Sequence, residues 1–164
     1  MYNIDKQSLL LRSDRILFHT QDLALLWSIE NRNTLYTTIK RYVEKGVLIP
    51  VVKGLYSVKP IDQIDTYVLG SVLIHKYCYV SCETVLADTG VINQDIIPIT
   101  FVSSISLKVK VGSVEYLYRQ VKPEILFDSH GVEKKNGYFM ATKDRAIRDM
   151  LYFNPKYYLD NNAK

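Results

Sequence analysis

The chain contains 164 residues, of which 48% are hydrophobic and 12% are aromatic. This size and composition suit one domain or two small ones with a real core, and they exclude an intrinsically disordered protein. The longest uncharged apolar run, residues 66–75, is too short to cross a bilayer, which takes about 20 residues. The first residues do not resemble a signal peptide, and two cysteines are too few for a disulfide framework, so we expect a cytoplasmic protein without membrane contact.

The positive charge of the chain is concentrated in its first third. The net charge of the whole sequence is +4. Residues 1–60 contain nine Lys and Arg against five Asp and Glu, whereas residues 61–164 contain twelve of each. A local excess of this kind is typical of proteins that bind a polyanion. The alternative is a basic surface with no partner.

The first 60 residues predict three helices and a hairpin. Residues 4–12 have the pattern of a first helix, and residues 16–18 that of a short extended segment. Thr20 is a suitable N-cap for a second helix, with Asp22 near its positive end. A polar connection of residues 28–33 then leads to the third helix.

The third helix and the hairpin follow each other directly. Gly46 ends the helix, since glycine is best suited to a left-handed C-terminal position. Residues 47–52 and 55–59 are β-prone runs joined around Lys53 and Gly54, which predicts a hairpin. The apolar residues of the third helix recur at helical spacing and are Leu35, Ile39, Tyr42 and Val43.

We expect a domain boundary at Pro60, because proline cannot continue a strand ladder. Residues 62–76 then predict an amphipathic helix, and residues 82–88 predict a shorter helix that stops at Gly90. The side of the longer helix that we expect to face inward carries Ile64, Val68, Val72 and His75.

From residue 97 onward the pattern alternates with the period of β-strands, and turn signals at residues 112–113 and 136–137 predict two hairpins. Thr142 caps a last helix. The residues of that helix that we expect to face inward are Ala146, Ile147, Met150 and Leu151. The fold class is therefore predicted as α+β, with a small mixed α/β domain containing antiparallel strands in residues 61–164.

Residues 1–60 have the pattern of a winged helix-turn-helix domain that binds double-stranded DNA. A major groove admits one helix, whose apolar side holds it to its domain while its outer side offers hydrogen-bond donors. The residues expected to read bases are Asn33, Thr34, Tyr36 and Thr37. The residues expected to contact phosphates are Arg32, Lys40, Arg41, Lys53 and Tyr56. Three helices in this order also occur in protein-interaction modules, which remain the alternative.

Motifs of catalysis and metal binding have simpler interpretations. The tripeptide Asp88-Thr89-Gly90 is found in aspartic proteases, but a protease needs two such aspartates, so we interpret it as the end of a helix. His75, Cys78 and Cys82 give three metal ligands at most, whereas a structural zinc site needs four. We therefore expect a partly buried histidine, two apolar thiols, no metal or other cofactor, and no enzymatic activity.

Several of these segments together resemble the AbiEi-type antitoxins of type IV, or abortive-infection, toxin–antitoxin systems. The shared features are FHTQDLA at the second helix, LYTTIKRYVEKGVLIPVVKGLYSV in the third helix and hairpin, ETVLADTGVI, and YFMATKDRAIRDML. The resemblance covers residues 14–152. The wing segment KGLY together with ATKDRAIRDML is its most specific combination.

This resemblance implies a bacterial protein whose winged helix binds inverted repeats upstream of its own operon and represses it. The C-terminal domain is then an antitoxin domain against a nucleotidyltransferase-type toxin, and two copies would suit an inverted repeat. The family motif falls on Asp144, Arg145 and Asp149, with aspartate at 144 where the family usually has glutamate. From spacing alone, Arg145 and Asp149 form an ordinary ion pair on a helix surface.

Overall fold

A computed structural model describes residues 5–92 and 98–157 of the chain. They form a mixed α+β protein, as predicted, and the chain divides into two units between Asp65 and Thr66. We call residues 1–65 the first unit and residues 66–164 the second unit. The sequence pattern predicted the boundary at Pro60, and the division falls five residues later.

The first unit contains three helices and a small antiparallel sheet. Its elements in chain order are α1 (Lys6–Arg12), β1 (Leu17–His19), α2 (Thr20–Trp27), α3 (Arg32–Glu44), β2 (Ile49–Val52) and β3 (Leu55–Ser57). The strand order is β1-β3-β2, so the last strand of the hairpin pairs with both of the others. A single 3₁₀ turn, Ile61–Gln63, follows the sheet.

The ends of α2 differ in detail from the prediction. The N-cap is His19 and not Thr20, because the Asp22 carboxylate accepts a hydrogen bond from the His19 N–H at 2.7 Å. Thr20 is instead the first helical residue, and both its N–H and its hydroxyl donate to the carbonyl of Gly54 at 3.0 and 3.3 Å. The turn of the hairpin is therefore tied to the start of α2.

The end of α3 follows the prediction. Gly46 has a φ of +74°, and its N–H donates to the carbonyl of Val43 while the N–H of Val47 donates to that of Tyr42. These two bonds define a Schellman motif, in which glycine takes the left-handed position. The lysine–glycine turn at residues 53–54 also forms, with Gly54 at φ +80°.

The core of the first unit joins all three helices to the sheet. Apolar side chains recur at helical spacing on each helix and meet on one side, where their burial stabilises the unit. The buried cluster consists of Leu10, Phe18, Leu23, Trp27, Leu35, Ile39, Tyr42 and Leu48. Trp27 and Tyr42 pack with ring centroids 5.3 Å apart, and the Trp27 indole N–H donates to the carbonyl of Lys6.

The second unit is built on a six-stranded mixed sheet. Its elements in chain order are α4 (Thr66–Leu73), β4 (Cys78–Val80), α5 (Cys82–Asp88), β5 (Ile99–Ser103), β6 (Leu107–Val111), β7 (Val114–Gln120), α6 (Pro123–Leu126), β8 (Val132–Lys134), β9 (Phe139–Ala141) and α7 (Lys143–Phe153). The strand order is β6-β7-β5-β4-β9-β8. The pairs β5–β7 and β4–β9 are parallel, and the remaining neighbours are antiparallel.

Helices cover both faces of this sheet. On one face α4 packs closely, since the Tyr118 hydroxyl donates to the carbonyl of Gly70 and the Tyr116 hydroxyl to that of Thr66. On the other face α5 packs on β5 and α7 packs on β9. Neighbouring residues of a strand point to opposite faces of the sheet. Tyr79 of β4 lies on this second face, where Arg145 of α7 reaches its hydroxyl.

The helix predicted over residues 62–76 is shorter than expected. It spans only Thr66–Leu73, and its buried residues are Leu69, Gly70 and Leu73. Of the residues predicted to face inward, Ile64 is buried just before the helix, and Val68 and Val72 are half-buried. The prediction was wrong for His75, which is exposed with a left-handed φ of +49°. Gly70 is the residue that lets the helix lie directly on the aromatic rings of the sheet.

Both cysteines are buried and inaccessible. Burial raises the pKa of Cys78 and of Cys82 to about 12 in each case. Since the thiolate is the reactive form, we expect neither thiol of the folded protein to react with Ellman's reagent near pH 8. Both should react once the protein is unfolded in guanidinium chloride, with free glutathione as the reference for an unprotected thiol. A thiol that reacts at the glutathione rate in the folded protein would contradict this burial.

Candidate nucleic-acid interface

The outer face of α3 carries most of the residues that the sequence predicts to contact DNA. Leu35, Thr38, Ile39 and Tyr42 are buried, so the opposite side of the helix faces solvent. The residues exposed there are Arg32, Asn33, Thr34, Tyr36, Thr37, Lys40 and Arg41. The one acidic residue of the helix is Glu44, in its last turn.

Helical periodicity divides this outer face into a crest and two flanks, one of which carries Tyr36 and lines the groove next to the hairpin. Asn33 and Thr37 lie along the crest, directly opposite the buried side. Thr34 and Arg41 lie on the flank that does not line the groove next to the hairpin. A ligand that covers the crest therefore reaches Asn33 and Thr37 first.

A groove of about 590 Å³ runs between α3 and the hairpin of β2 and β3. We call it the α3–hairpin groove. Four of the predicted contact residues line it together: Tyr36 and Lys40 from the helix, and Lys53 and Tyr56 from the hairpin. The other lining residues are mostly apolar and are Ile39, Val43, Pro50, Val51, Val52 and Gly54.

The two lysines give the α3–hairpin groove its charge. Lys40 and Lys53 are exposed, and within residues 5–92 and 98–157 no carboxylate lies within ion-pair distance of either. Burial raises the pKa of Tyr56, and the nearby Tyr36 raises it further, so the Tyr56 hydroxyl is a neutral donor at physiological pH. The groove thus presents two cations and a hydroxyl donor above an apolar floor.

Thr34 belongs to the cap of α3. The N-cap is Asn31, whose side-chain oxygen accepts from the Thr34 N–H at 3.0 Å and from the Thr34 hydroxyl at 3.3 Å. The sequence interpretation placed residue 31 in the connecting loop and missed this role. Asparagine directly before an apolar pattern is the signal that could have revealed it.

Arg32 and Tyr36 form a cation–π pair on the first turns of α3. The Arg32 guanidinium carbon lies 5.5 Å from the centre of the Tyr36 ring. The two residues are four positions apart, so they are neighbours on the helix surface. Tyr36 remains 45% exposed, which leaves the outer side of the pair open to a ligand.

The C-terminal motif of the second unit lies in the core and not on the surface. Arg145 is 2% exposed and Asp149 is 1% exposed, with the Arg145 Nε donating to Asp149 Oδ1 at 3.2 Å. The interpretation as a surface ion pair was therefore wrong. Ala146 and Met150 are buried as predicted, whereas Ile147 is only half-buried and Leu151 is exposed.

Arg145 is the centre of a buried hydrogen-bond network. Its two terminal nitrogens donate to the Tyr79 hydroxyl and to three backbone carbonyls, at distances of 2.6–2.9 Å. These carbonyls belong to residues Ile125, Asp128 and His130. The second oxygen of Asp149 accepts from the Ser81 hydroxyl at 2.6 Å. The arginine thereby joins α7 to β4 and to the loop after α6.

The side chains of this network are hydrogen-bonded to one another and to the backbone. Among the described residues, no buried side-chain nitrogen or oxygen lacks a hydrogen-bond partner. A small cavity of about 230 Å³ borders the start of α7 and touches Arg145, but that guanidinium is fully engaged. Asp144, the third motif residue, is exposed in the first turn of α7, where a carboxylate suits the positive helix end.

The Asp88-Thr89-Gly90 tripeptide has a structural role. Asp88 is the last residue of α5, and Gly90 follows with a φ of +74°, so the tripeptide ends a helix as predicted. Asp88 accepts a hydrogen bond from the Tyr67 hydroxyl at 2.6 Å. In the described part of the chain, no three His, Cys, Asp or Glu side chains are grouped so that they could hold a metal ion.

Comparison with known proteins does not place the chain in a family. The sequence matches no protein-family model, and no curated protein is significantly similar to it. None of the helices formed by the described residues combines the length and the apolar character that a membrane span requires.

Proposed function

We propose that this chain is a non-enzymatic regulator that binds double-stranded DNA at specific sequences through the first unit. The observation that carries the proposal is the α3–hairpin groove, in which Tyr36, Lys40, Lys53 and Tyr56 meet beside the exposed face of α3. Asparagine and threonine on the crest provide the donors and acceptors that base edges need. Lysines on both walls provide the positive charge that phosphates need.

The order of elements in the first unit supports a winged helix-turn-helix. The second and third helices are joined by four residues, and the hairpin follows the third helix at once. In such domains the second of these helices enters the major groove, with its first turns against base edges. Asn33 and Thr37 then act as base readers, while Lys40, Arg41 and Lys53 position the duplex through its phosphates.

We further propose that the regulated gene is the chain's own operon and that the protein is an antitoxin of the AbiEi type. Support comes from the resemblance over residues 14–152 and from the groove that four of the predicted contact residues form together. The second unit then carries the activity against a nucleotidyltransferase-type toxin. A nucleotidyltransferase encoded next to this gene would strengthen the proposal.

The DNA-binding proposal is tested by the salt dependence of duplex binding. If about four phosphates are neutralised, log affinity should fall against log salt with a slope near −3.6. The double variant Lys40→Ala/Arg41→Ala should bind more weakly to all duplexes and lower the magnitude of the slope by about 1.8. Fluorescence anisotropy with the upstream region of the gene measures both quantities.

The matched control is Lys108→Ala/Lys110→Ala, which removes two exposed lysines from β6 of the second unit. We expect this control to bind DNA like the unchanged protein. Equal losses in both double variants would mean that any basic surface attracts the duplex. Wild-type affinity that does not respond to salt would overturn the proposal in favour of a protein-docking module.

A further inference from the structure

The basic residues on α3 do not have the same surroundings. Lys40 and Arg41 lie in the second half of the helix and are exposed. Arg32 is the first residue of the helix, and its guanidinium lies over the exposed ring of Tyr36. Of these three cations, Arg32 is the one whose charged group lies over an aromatic ring. This difference indicates a different role.

The cation–π contact with Tyr36 reduces the conformational freedom of the Arg32 side chain before any ligand binds. An arginine has many rotamers, and an interaction that needs one of them loses conformational entropy on binding. The Tyr36 ring limits those rotamers and leaves the planar set of N–H donors available. A pre-ordered planar donor suits the recognition of two acceptors at once, such as two neighbouring acceptors on a base edge or two oxygens of a phosphate.

The position of the pair also favours contact with a base. The first turns of a recognition helix approach base edges, while its later turns pass the backbone. Guanine presents two acceptors side by side in the major groove, O6 and N7, and arginine bonded to both is the commonest specific contact. Tyr36 lines the α3–hairpin groove, and the Arg32 guanidinium lies over its ring on the same flank of the helix.

We infer that Arg32 reads a guanine through its O6 and N7 atoms and that Tyr36 is the residue that positions it. This inference rests on the proposed DNA binding and changes the role of Arg32 from phosphate contact to base reader. It also predicts a property of the target: the bound sequence contains a guanine that faces the N-terminal turn of α3.

Selection from a pool of random duplexes by the full-length protein tests this inference. The wild-type protein should enrich a motif with an invariant guanine, and Arg32→Ala should enrich the same motif with that position relaxed. At that position, replacement of the G·C pair should weaken wild-type binding on the order of 10- to 100-fold and leave Arg32→Ala binding unchanged. Lys40→Ala is the matched control and should weaken binding to all sequences without relaxing any position.

Modified bases identify the contacted atoms. In the wild-type complex, 7-deazaguanine at that position should weaken binding severalfold, because it lacks the N7 acceptor but still pairs with cytosine. Inosine keeps O6 and N7, so it should bind like guanine. For Tyr36, the variant Tyr36→Phe keeps the ring and should keep the guanine preference, whereas Tyr36→Leu should reduce it.

The outcomes separate this inference from the proposed function. If the wild-type protein enriches no motif, the proposal of sequence-specific binding fails. If the wild-type protein and Arg32→Ala enrich the same motif without loss of any position, DNA binding stands and the reading of guanine by Arg32 fails. A uniform loss of affinity in Arg32→Ala, with a salt slope smaller by about one, would make Arg32 a phosphate contact.

Discussion

Replacing Arg145 with alanine should lower the free energy of unfolding of the second unit by about 3–5 kcal/mol. The substitution leaves the Asp149 carboxylate buried without its counter-charge, and it removes the donors of the carbonyls of Ile125, Asp128 and His130. A loss of this size is a large part of the 5–15 kcal/mol that typically stabilises a folded domain. Urea unfolding followed by far-UV circular dichroism measures it.

The matched control is Arg148→Ala, on the same helix. Arg148 is exposed and pairs with Asp128 at 3.0 Å, so its loss should cost at most about 1 kcal/mol. Arg145→Lys keeps the charge but offers fewer donors, and it should fall between the two. The single tryptophan of the chain, Trp27, lies in the first unit, so its fluorescence follows that unit separately. Equal costs for the two alanine variants would show that the buried network does not stabilise the fold.

Replacing Gly70 with alanine should destabilise the second unit by about 2 kcal/mol. A Cβ atom at this position would lie 2.5 Å from the Phe101 ring and 2.7 Å from the Tyr116 ring, closer than carbon atoms can pack. Alanine is favoured over glycine in a helix by about 1 kcal/mol, and the clash must exceed this gain for the variant to lose stability. Thermal and urea unfolding give the difference.

Replacing Phe101 with a smaller residue tests whether the contact with its ring causes the loss of stability in Gly70→Ala. In the double variant Gly70→Ala/Phe101→Leu the smaller side chain removes the closest of these contacts, that with the Phe101 ring, and leaves that with Tyr116. The cost of the double variant should therefore be at least about 1 kcal/mol less than the sum of the two single costs. Simple additivity of the two substitutions would contradict the close approach of α4 to the sheet.

Local signals in the sequence were sufficient to predict most of the helices, strands and turns. The turns at residues 53–54, 112–113 and 136–137 form where glycine follows or precedes a polar residue between β-prone runs. Gly46 and Thr142 end and begin their helices as predicted. These features depend on the conformational preferences of a few adjacent residues, so one sequence reveals them.

The features that the sequence did not reveal depend on distant residues. Arg145 and Asp149 were placed on the surface from their spacing of one helical turn. Their partners in the core, Tyr79 for Arg145 and Ser81 for Asp149, lie more than 60 positions away in the sequence. Gly70 was not recognised as a contact because the rings beneath it come from β5 and β7. At the candidate DNA interface, the helical periodicity of the sequence identified the exposed residues of α3. It did not reveal the cation–π contact between Arg32 and Tyr36.

The bonds between Thr20 and the Gly54 carbonyl affect how the first unit meets a ligand. Because Thr20 holds the Gly54 carbonyl with two hydrogen bonds, the hairpin tip is restrained from swinging away from the start of α2. The distance between the two lysine-bearing walls is thus set when the protein folds, and the entropy of ordering the hairpin is lost at that stage. Under the proposed DNA binding, we expect a duplex that fits this spacing to bind without rearrangement of the hairpin, and one that requires a wider opening to bind more weakly.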